Sequence, residues 1–155
     1  MESENIGNSR WRGRLYRYAP FLFWTAMILY MSSPQASMSE TSRFIIPMLE
    51  FVFPNASPET LLTYHFYIRK SAHFFEYAVL GFLASRAFWK SGNRYLRNYW
   101  FIIAVGFVVL VASIDEINQS FNITRTSSVY DVILDGIGGL SMVIFLCALK
   151  KLRNN

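Results

Sequence analysis

Four long apolar runs constrain what this chain can fold into. They cover about residues 16–31, 72–89, 98–114 and 129–149, and each approaches the roughly 20 residues of helix that cross about 30 Å of bilayer hydrocarbon. Because 53% of the 155 residues are hydrophobic and only 16% are charged, the chain must either bury nearly everything or face lipid. The runs therefore predict an all-α protein, a four-helix transmembrane bundle that forms a single domain over residues 1–155.

The cations are divided unequally between the two ends of these runs. Eleven of the 15 Lys and Arg residues flank the ends that share a side with the termini, and the other four are Arg43, Arg69, Lys70 and Arg125. Cytoplasmic loops are enriched in Lys and Arg, so the division predicts a multi-pass membrane protein with both termini cytoplasmic. The net charge of +5 then reflects topology and contact with anionic membrane lipids, and we expect no nucleic-acid partner.

The connection between the first two runs, residues 32–71, contains two helix signals. Apolar positions 44, 45, 48, 49, 52 and 53 form one helical stripe, which predicts a short interfacial helix on the outer face of the membrane. Pro47 is expected to bend this helix or to shift its start. Ser57 followed by Pro58 is typical of a helix N-terminus, and that helix is expected to continue through residues 61–70 into the second span.

Ten polar residues are expected at the outer end of the bundle. Residues three or four apart share one face of a helix, and charges at this depth are costly when they face lipid. We therefore expect the acids to face one another across the bundle, with the three cations as counter-charges. The predicted site consists of Arg69, Lys70, His73, Glu76, Asp115, Glu116, Gln119, Arg125, Asp131 and Asp135.

Small residues predict that the helices approach one another closely. Small side chains let helix backbones come together in a membrane, and two such patches occur, one in the second run and one in the fourth. They consist of Gly81, Ala84 and Ser85, and of Gly136, Gly138, Gly139 and Ser141.

Several motifs resemble those of the VanZ-like family of small bacterial membrane proteins. The first is RKSAHFFEY at residues 69–77, followed by Leu80-Gly81. The second is Asp115-Glu116 with Gln119, followed by Arg125, Asp131 and the small-residue patch of the fourth run. The third is Ser32-Ser33 after the first run. The resemblance covers essentially the whole chain. One departure is Asp135, where many members have asparagine. The resemblance implies a cell-envelope protein located in the bacterial cytoplasmic membrane, and the family name implies a contribution to resistance to glycopeptides such as teicoplanin.

Three interpretations of the polar site remain open. It binds the head group of a membrane lipid, a lipid-linked wall precursor or a glycopeptide, with cations on phosphate or carboxylate and acids on hydroxyls or amines. Alternatively, it is an intramembrane enzyme that uses acid–base or metal-assisted chemistry on a lipid-linked substrate. The third interpretation is a structural ion-pair network without a ligand. His73 and Glu76 have no second histidine close in sequence, so we expect no metal and no cofactor.

Overall fold

The structure is a computed structural model that describes residues 2–32, 38–121 and 128–154, with side chains from residues 11–32, 42–121 and 128–153. All regular secondary structure in these ranges is helical, which confirms the predicted all-α class. The described chain forms six helices: α1 (Glu2–Met31), α2 (Met38–Val52), α3 (Pro58–Trp89), α4 (Arg94–Asn98), α5 (Trp100–Ser120) and α6 (Val129–Asn154).

The central element is α3, which packs against α1, α2, α5 and α6. It begins as predicted, because the Ser57 side chain accepts a hydrogen bond from the Thr60 amide (3.3 Å) and Pro58 occupies the first turn. It then continues without a break for 32 residues to Trp89, a length of about 48 Å. The second apolar run is therefore only the C-terminal part of a longer helix.

Contacts between side chains and backbone fix the relative directions of the long helices. Arg86 of α3 donates to the carbonyl of Tyr16 in α1, and Trp24 donates to the carbonyl of Glu76, so α1 and α3 are antiparallel. Helices α5 and α6 are also antiparallel, since Asp115 lies beside Asp135 and Val108 beside Gly139. Helices α3 and α6 run parallel, because His73 faces Asp135 and Gly81 faces Gly139.

One end of this bundle is rich in cations and aromatic rings. The Lys150 ammonium lies 4.6 Å from the Trp89 ring centroid and 5.8 Å from that of Trp100, and the two indoles stack. The Tyr18 hydroxyl donates to Ser91 at the same end (2.9 Å). The first half of α1, the end of α6 and the connection around α4 therefore lie together, and the polar residues of α3, α5 and α6 lie at the opposite end.

The predicted close approach of helices through small residues is confirmed for three glycines. A Cβ built on Gly81 would lie 2.6 Å from the carbonyl oxygen of Gly139, and one on Gly138 would clash with the Phe74 carbonyl. A Cβ on Gly139 would clash with the Val108 side chain. Gly136 is less tightly packed, because a Cβ built there would lie 4.0 Å from the nearest described neighbour, the Val109 side chain. The close contacts of α6 with α3 and α5 thus depend on the absence of side chains at these positions.

The predicted spans correspond only in part to the helices. Among the described residues, two helices are long and apolar enough to cross a membrane, over Trp100–Ser120 and Val129–Arg153. The first run is the end of a helix that begins at Glu2, and α3 carries several charges, so neither passes the same test. The four-span count and the cytoplasmic termini remain predictions.

The two shorter helices refine the sequence interpretation. The predicted helix around residues 44–53 exists as α2, which starts at Met38 and continues through Pro47. Its Leu49 is buried, whereas Phe44, Met48 and Phe51 on the rest of its surface are exposed. Helix α4 was not predicted; the Asn93 side chain caps it by accepting from the amides of Tyr95 and Leu96.

Candidate functional site

Three helices meet in a central group of His73, Asp115 and Asp135. One ligand atom from each side chain lies within 4.8 Å of the other two. His73 belongs to α3, Asp115 to α5 and Asp135 to α6, so the group exists only where all three helices pack together. The packing of these three helices thus brings three of the predicted site residues side by side.

Asp115 is held from two sides. It is buried, with 2% of its surface exposed, and the fully buried Tyr77 donates its hydroxyl to Asp115 Oδ2 (3.0 Å). The buried Ser32 hydroxyl donates to the backbone carbonyl of Asp115 (3.0 Å). A carboxylate fixed by a tyrosine hydroxyl in a water-poor environment has a defined orientation.

Asp135 is equally buried, at 2% exposure, but its contacts are fewer. Its Oδ1 atom is buried and has no hydrogen-bond partner within the described part of the chain. It lies 3.7 Å from His73 Nδ1, which is longer than a hydrogen bond. Buried polar atoms almost always have a partner. The Oδ1 atom, directed at His73, is thus the position in the central group where one more partner would be accommodated.

A more exposed rim surrounds this group. Lys70 forms an ion pair with Asp131, and the two side chains are 28% and 25% exposed. Glu116 accepts a hydrogen bond from the backbone amide of Ser128 and so links the end of α5 to the residue before α6. The rim therefore brings α3, α5 and α6 together a second time, closer to the surface.

Arg69 contributes a partly buried cation near the acids of the rim. It is half-buried, and it makes no hydrogen bond or ion pair with any residue that the structure describes. Burial lowers the pKa of Arg69, and the negative charges of Asp131, Asp115 and Glu116 oppose that shift. An arginine stays charged in proteins in any case, so a partly dehydrated cation lies beside the acids without a direct partner.

Other predicted site residues lie apart from the central group or outside the described chain. Glu76 is half-buried but does not belong to the group of three, and Gln119 is buried one turn beyond Asp115. Arg125 lies outside the described residues. With five carboxylates (Glu76, Asp115, Glu116, Asp131 and Asp135) against the two cations Arg69 and Lys70, the described part of the site has an excess of acids.

Three residues that support the site were not predicted as members of it, although Tyr77 and Ser32 lie in motifs noted in the sequence. Tyr77 follows His73 by four residues and therefore shares its helix face, a signal that the spacing contained. Trp24 reaches the Glu76 carbonyl across 3.0 Å, and nothing in its local sequence indicates that contact. Ser32 had been noticed only as part of the Ser32-Ser33 motif, whereas in the structure it supports Asp115.

His65 of α3 is buried at some distance along the helix. Its Nε2 atom has no hydrogen-bond partner among the described residues. Burial, and secondarily the charge of Arg69, lowers the pKa of His65 below its usual 6.5, so the imidazole is neutral near pH 7. Its position eight residues before His73 keeps it out of the central group.

Comparison with known proteins identifies relatives at the level of a family. The family model described as VanZ/LLP1 matches residues 18–150, a range that includes every residue of the central group and the rim. No curated protein and no solved structure matches the chain.

Proposed function

The chain belongs to the VanZ/LLP1 family, and from that premise we propose that it binds the phosphate-bearing head group of a lipid-linked molecule at the outer leaflet. Membership of the family and the two apolar helices indicate a membrane protein. The proposal adds four spans, with both termini in the cytoplasm and the polar end of the bundle facing out. The uneven distribution of Lys and Arg supports that orientation.

The observation that carries the proposal is the unengaged guanidinium of Arg69. Taking a cation partly out of water without a counter-ion costs free energy, and here the nearest described carboxylates act on Arg69 only at a distance. A phosphate oxygen pair would supply the missing bonds, since the planar guanidinium binds phosphate through two parallel hydrogen bonds. Lys70 is less available because Asp131 already pairs with it.

The acids next to Arg69 complement this phosphate contact. Carboxylates of the rim accept hydrogen bonds from hydroxyls and amines, which lipid and wall-precursor head groups carry beside their phosphates. Asp131 and Glu116 are the partly exposed acids of the rim. Their partners among the described residues, Lys70 and the Ser128 amide, leave other lone pairs of these carboxylates available. A head group with phosphate on one side and hydroxyls or amines on the other fits this pattern of charge.

Glycopeptide resistance is the physiological consequence that we propose. A protein that holds a lipid-linked wall precursor at the outer leaflet would limit the access of a glycopeptide to that precursor. Expression of the wild-type chain in a glycopeptide-susceptible bacterium should therefore raise the teicoplanin concentration needed to stop growth. The Arg69→Ala variant, expressed to the same level in the membrane, should not.

The direct test is lipid binding by the purified protein. Native mass spectrometry of the chain should be carried out with a polyprenyl phosphate, phosphatidylglycerol or the phosphate-free lipid diacylglycerol. We expect both phosphate lipids to bind more tightly than diacylglycerol, and the ranking of the two separates a wall-precursor carrier from an ordinary membrane lipid. Arg69→Ala should weaken phosphate-lipid binding at least tenfold, a loss of about 1.4 kcal/mol, and Arg69→Lys should be intermediate.

A matched control removes a cation at the other end of the bundle. Arg94→Ala changes an exposed arginine in α4 and should leave lipid affinity within twofold of wild type. The stability of Arg69→Ala should also change little, because this arginine has no direct partner to lose. Unchanged phosphate-lipid binding by a folded Arg69→Ala protein would contradict the proposal and favour a purely structural network.

A further inference from the structure

The geometry points to a divalent metal site between α3, α5 and α6, with His73, Asp115 and Asp135 as its protein ligands. The sequence led us to expect no metal, because no second histidine lies near His73 along the chain, and metal-assisted chemistry was only one part of the enzyme alternative. The structure brings the additional ligands from other helices instead. The site would lie at the polar end of the bundle, below the rim that contains Lys70 and Asp131.

The distances suit a metal ion with a small adjustment of side chains. Imidazole nitrogen and carboxylate oxygen bind such ions at about 2.0–2.2 Å, which places neighbouring ligand atoms about 3–3.5 Å apart. His73 Nδ1 and Asp135 Oδ1 are 3.7 Å apart, and all three ligand atoms lie within 4.8 Å of one another. Rotation of the side chains within this group is enough to close the remaining difference.

A second observation, independent of the clustering, is the Asp135 Oδ1 atom. It is buried and has no hydrogen-bond partner among the described residues, and the residue as a whole is only 2% exposed. A carboxylate oxygen left in this state is costly, and a cation between Asp135 and His73 would satisfy it. The atom is directed into the group of three, as a ligand would be.

Asp115 is already held in the way that metal-binding carboxylates commonly are. Tyr77 donates to Oδ2 of Asp115, and such hydrogen bonds orient ligands and tune their basicity. The other oxygen of this carboxylate remains available for the ion. Tyr77 would therefore act as a positioning residue and would not itself bind the metal.

The donor set indicates the class of metal. One imidazole and two carboxylates suit a first-row divalent ion such as Mn²⁺ or Zn²⁺, whereas Ca²⁺ and Mg²⁺ prefer oxygen ligands alone. Two carboxylates neutralise the charge of such an ion when the imidazole is uncharged. This inference does not depend on the binding of a lipid head group, because Arg69 is not among the ligands.

The test is Mn²⁺ binding to the purified chain after removal of metals with a chelator. Electron paramagnetic resonance of free Mn²⁺ should show one tightly bound ion per chain, which Zn²⁺ displaces and Mg²⁺ displaces only at much higher concentration. Asp135→Asn and His73→Gln should each weaken binding at least tenfold. The exposed acid Glu59, in the first turn of α3, supplies the control, since Glu59→Gln should bind within threefold of wild type.

A spectroscopic signature distinguishes a ligand from a nearby charge. The bound Mn²⁺ should show electron spin echo modulation from an imidazole nitrogen, and that modulation should be absent in His73→Gln saturated with Mn²⁺. If Asp135→Asn fails to fold, the Mn²⁺ affinity and the nitrogen modulation of His73→Gln test the inference without it. Binding that His73→Gln leaves unchanged, the absence of nitrogen modulation in the wild-type protein, or no binding at millimolar Mn²⁺ would overturn the inference. Arg69→Ala should retain Mn²⁺ binding, so the failure of the two proposals can be told apart.

Discussion

Replacing Gly81 by alanine would place a methyl group against the backbone of α6. The new Cβ would lie 2.6 Å from the Gly139 carbonyl oxygen and 3.1 Å from the Gly139 Cα, whereas ordinary van der Waals contact begins at 3.4 Å. The difference between 3.4 Å and 2.6 Å, about 0.8 Å, is the distance by which the helices must separate. Because the obstructing atoms belong to the backbone, no side-chain rotation can relieve the clash.

The expected cost follows from two opposing effects. Overpacking of this kind costs about 1–3 kcal/mol, and alanine regains up to about 1 kcal/mol relative to glycine within a helix. Gly106 of α5 provides a matched control, because a Cβ built there has no described neighbour within 4 Å. Gly106→Ala should therefore show only the stabilisation that alanine gives relative to glycine in a helix. The free energy of unfolding of Gly81→Ala should therefore lie about 1–3 kcal/mol below that of Gly106→Ala.

The measurement is reversible unfolding in mixed micelles titrated with a denaturing detergent and followed by tryptophan fluorescence. Gly138→Ala should behave like Gly81→Ala, since its Cβ would meet the backbone of Phe74. If Gly81→Ala proved as stable as Gly106→Ala to within about 0.5 kcal/mol, the close backbone contact of α3 with α6 would be refuted.

Three further experiments test the site, the topology and the buried imidazole. Tyr77→Phe removes the hydroxyl that donates to Asp115 and should lower the free energy of unfolding by about 1.5–3 kcal/mol, the range for a hydrogen bond to a charged group; an unchanged unfolding curve would show that the bond is absent. In a cysteine-free background, a cysteine placed at the exposed Asn55 should react with a membrane-impermeant thiol reagent in intact cells. A cysteine placed at the exposed Gly92 should not react, and the reverse pattern would show that the proposed orientation is inverted. The pKa of His65 is lowered in the folded state, so protonation of this imidazole does not reduce stability above pH 6.5. As pH falls from 6.5 to the folded pKa, the unfolded state takes up a proton that the folded state does not, and the free energy of unfolding decreases. His65→Leu should reduce this slope, which cannot exceed about 1.4 kcal/mol per pH unit for one proton, and an identical slope in both proteins would assign the pH dependence to other groups.

Local signals in the sequence predicted the beginnings of helices and the faces that carry polar groups. Ser57 and Pro58 predicted the start of α3 because a capping hydroxyl and a proline act within one turn. The spacing of Asp131 and Asp135 predicted that both acids face inward, and the structure shows one at the rim and one buried. These properties depend only on neighbours along the chain.

Contacts between distant helices could not be read from the sequence in the same way. The grouping of His73 with Asp115 and Asp135 depends on the rotation of α3, α5 and α6 about their axes, which side-chain packing determines. The contacts of Ser32 and Trp24 with backbone carbonyls leave no pattern in the sequence, because a carbonyl has no residue identity. The start of α1 at Glu2 was missed for another reason, since its first turns are polar and lack an apolar period.

The parallel pairing of α3 with α6 has a consequence for biosynthesis. A ribosome delivers the N-terminal segments first, so α1, α3 and α5 emerge before the helix that carries Asp135. During that interval Asp115 already has its partners Tyr77 and Ser32, whereas Lys70 still lacks Asp131 of α6. A chain interrupted before Val129 would therefore leave Gly81 without the Gly139 backbone that packs against it, and Lys70 without its counter-charge Asp131.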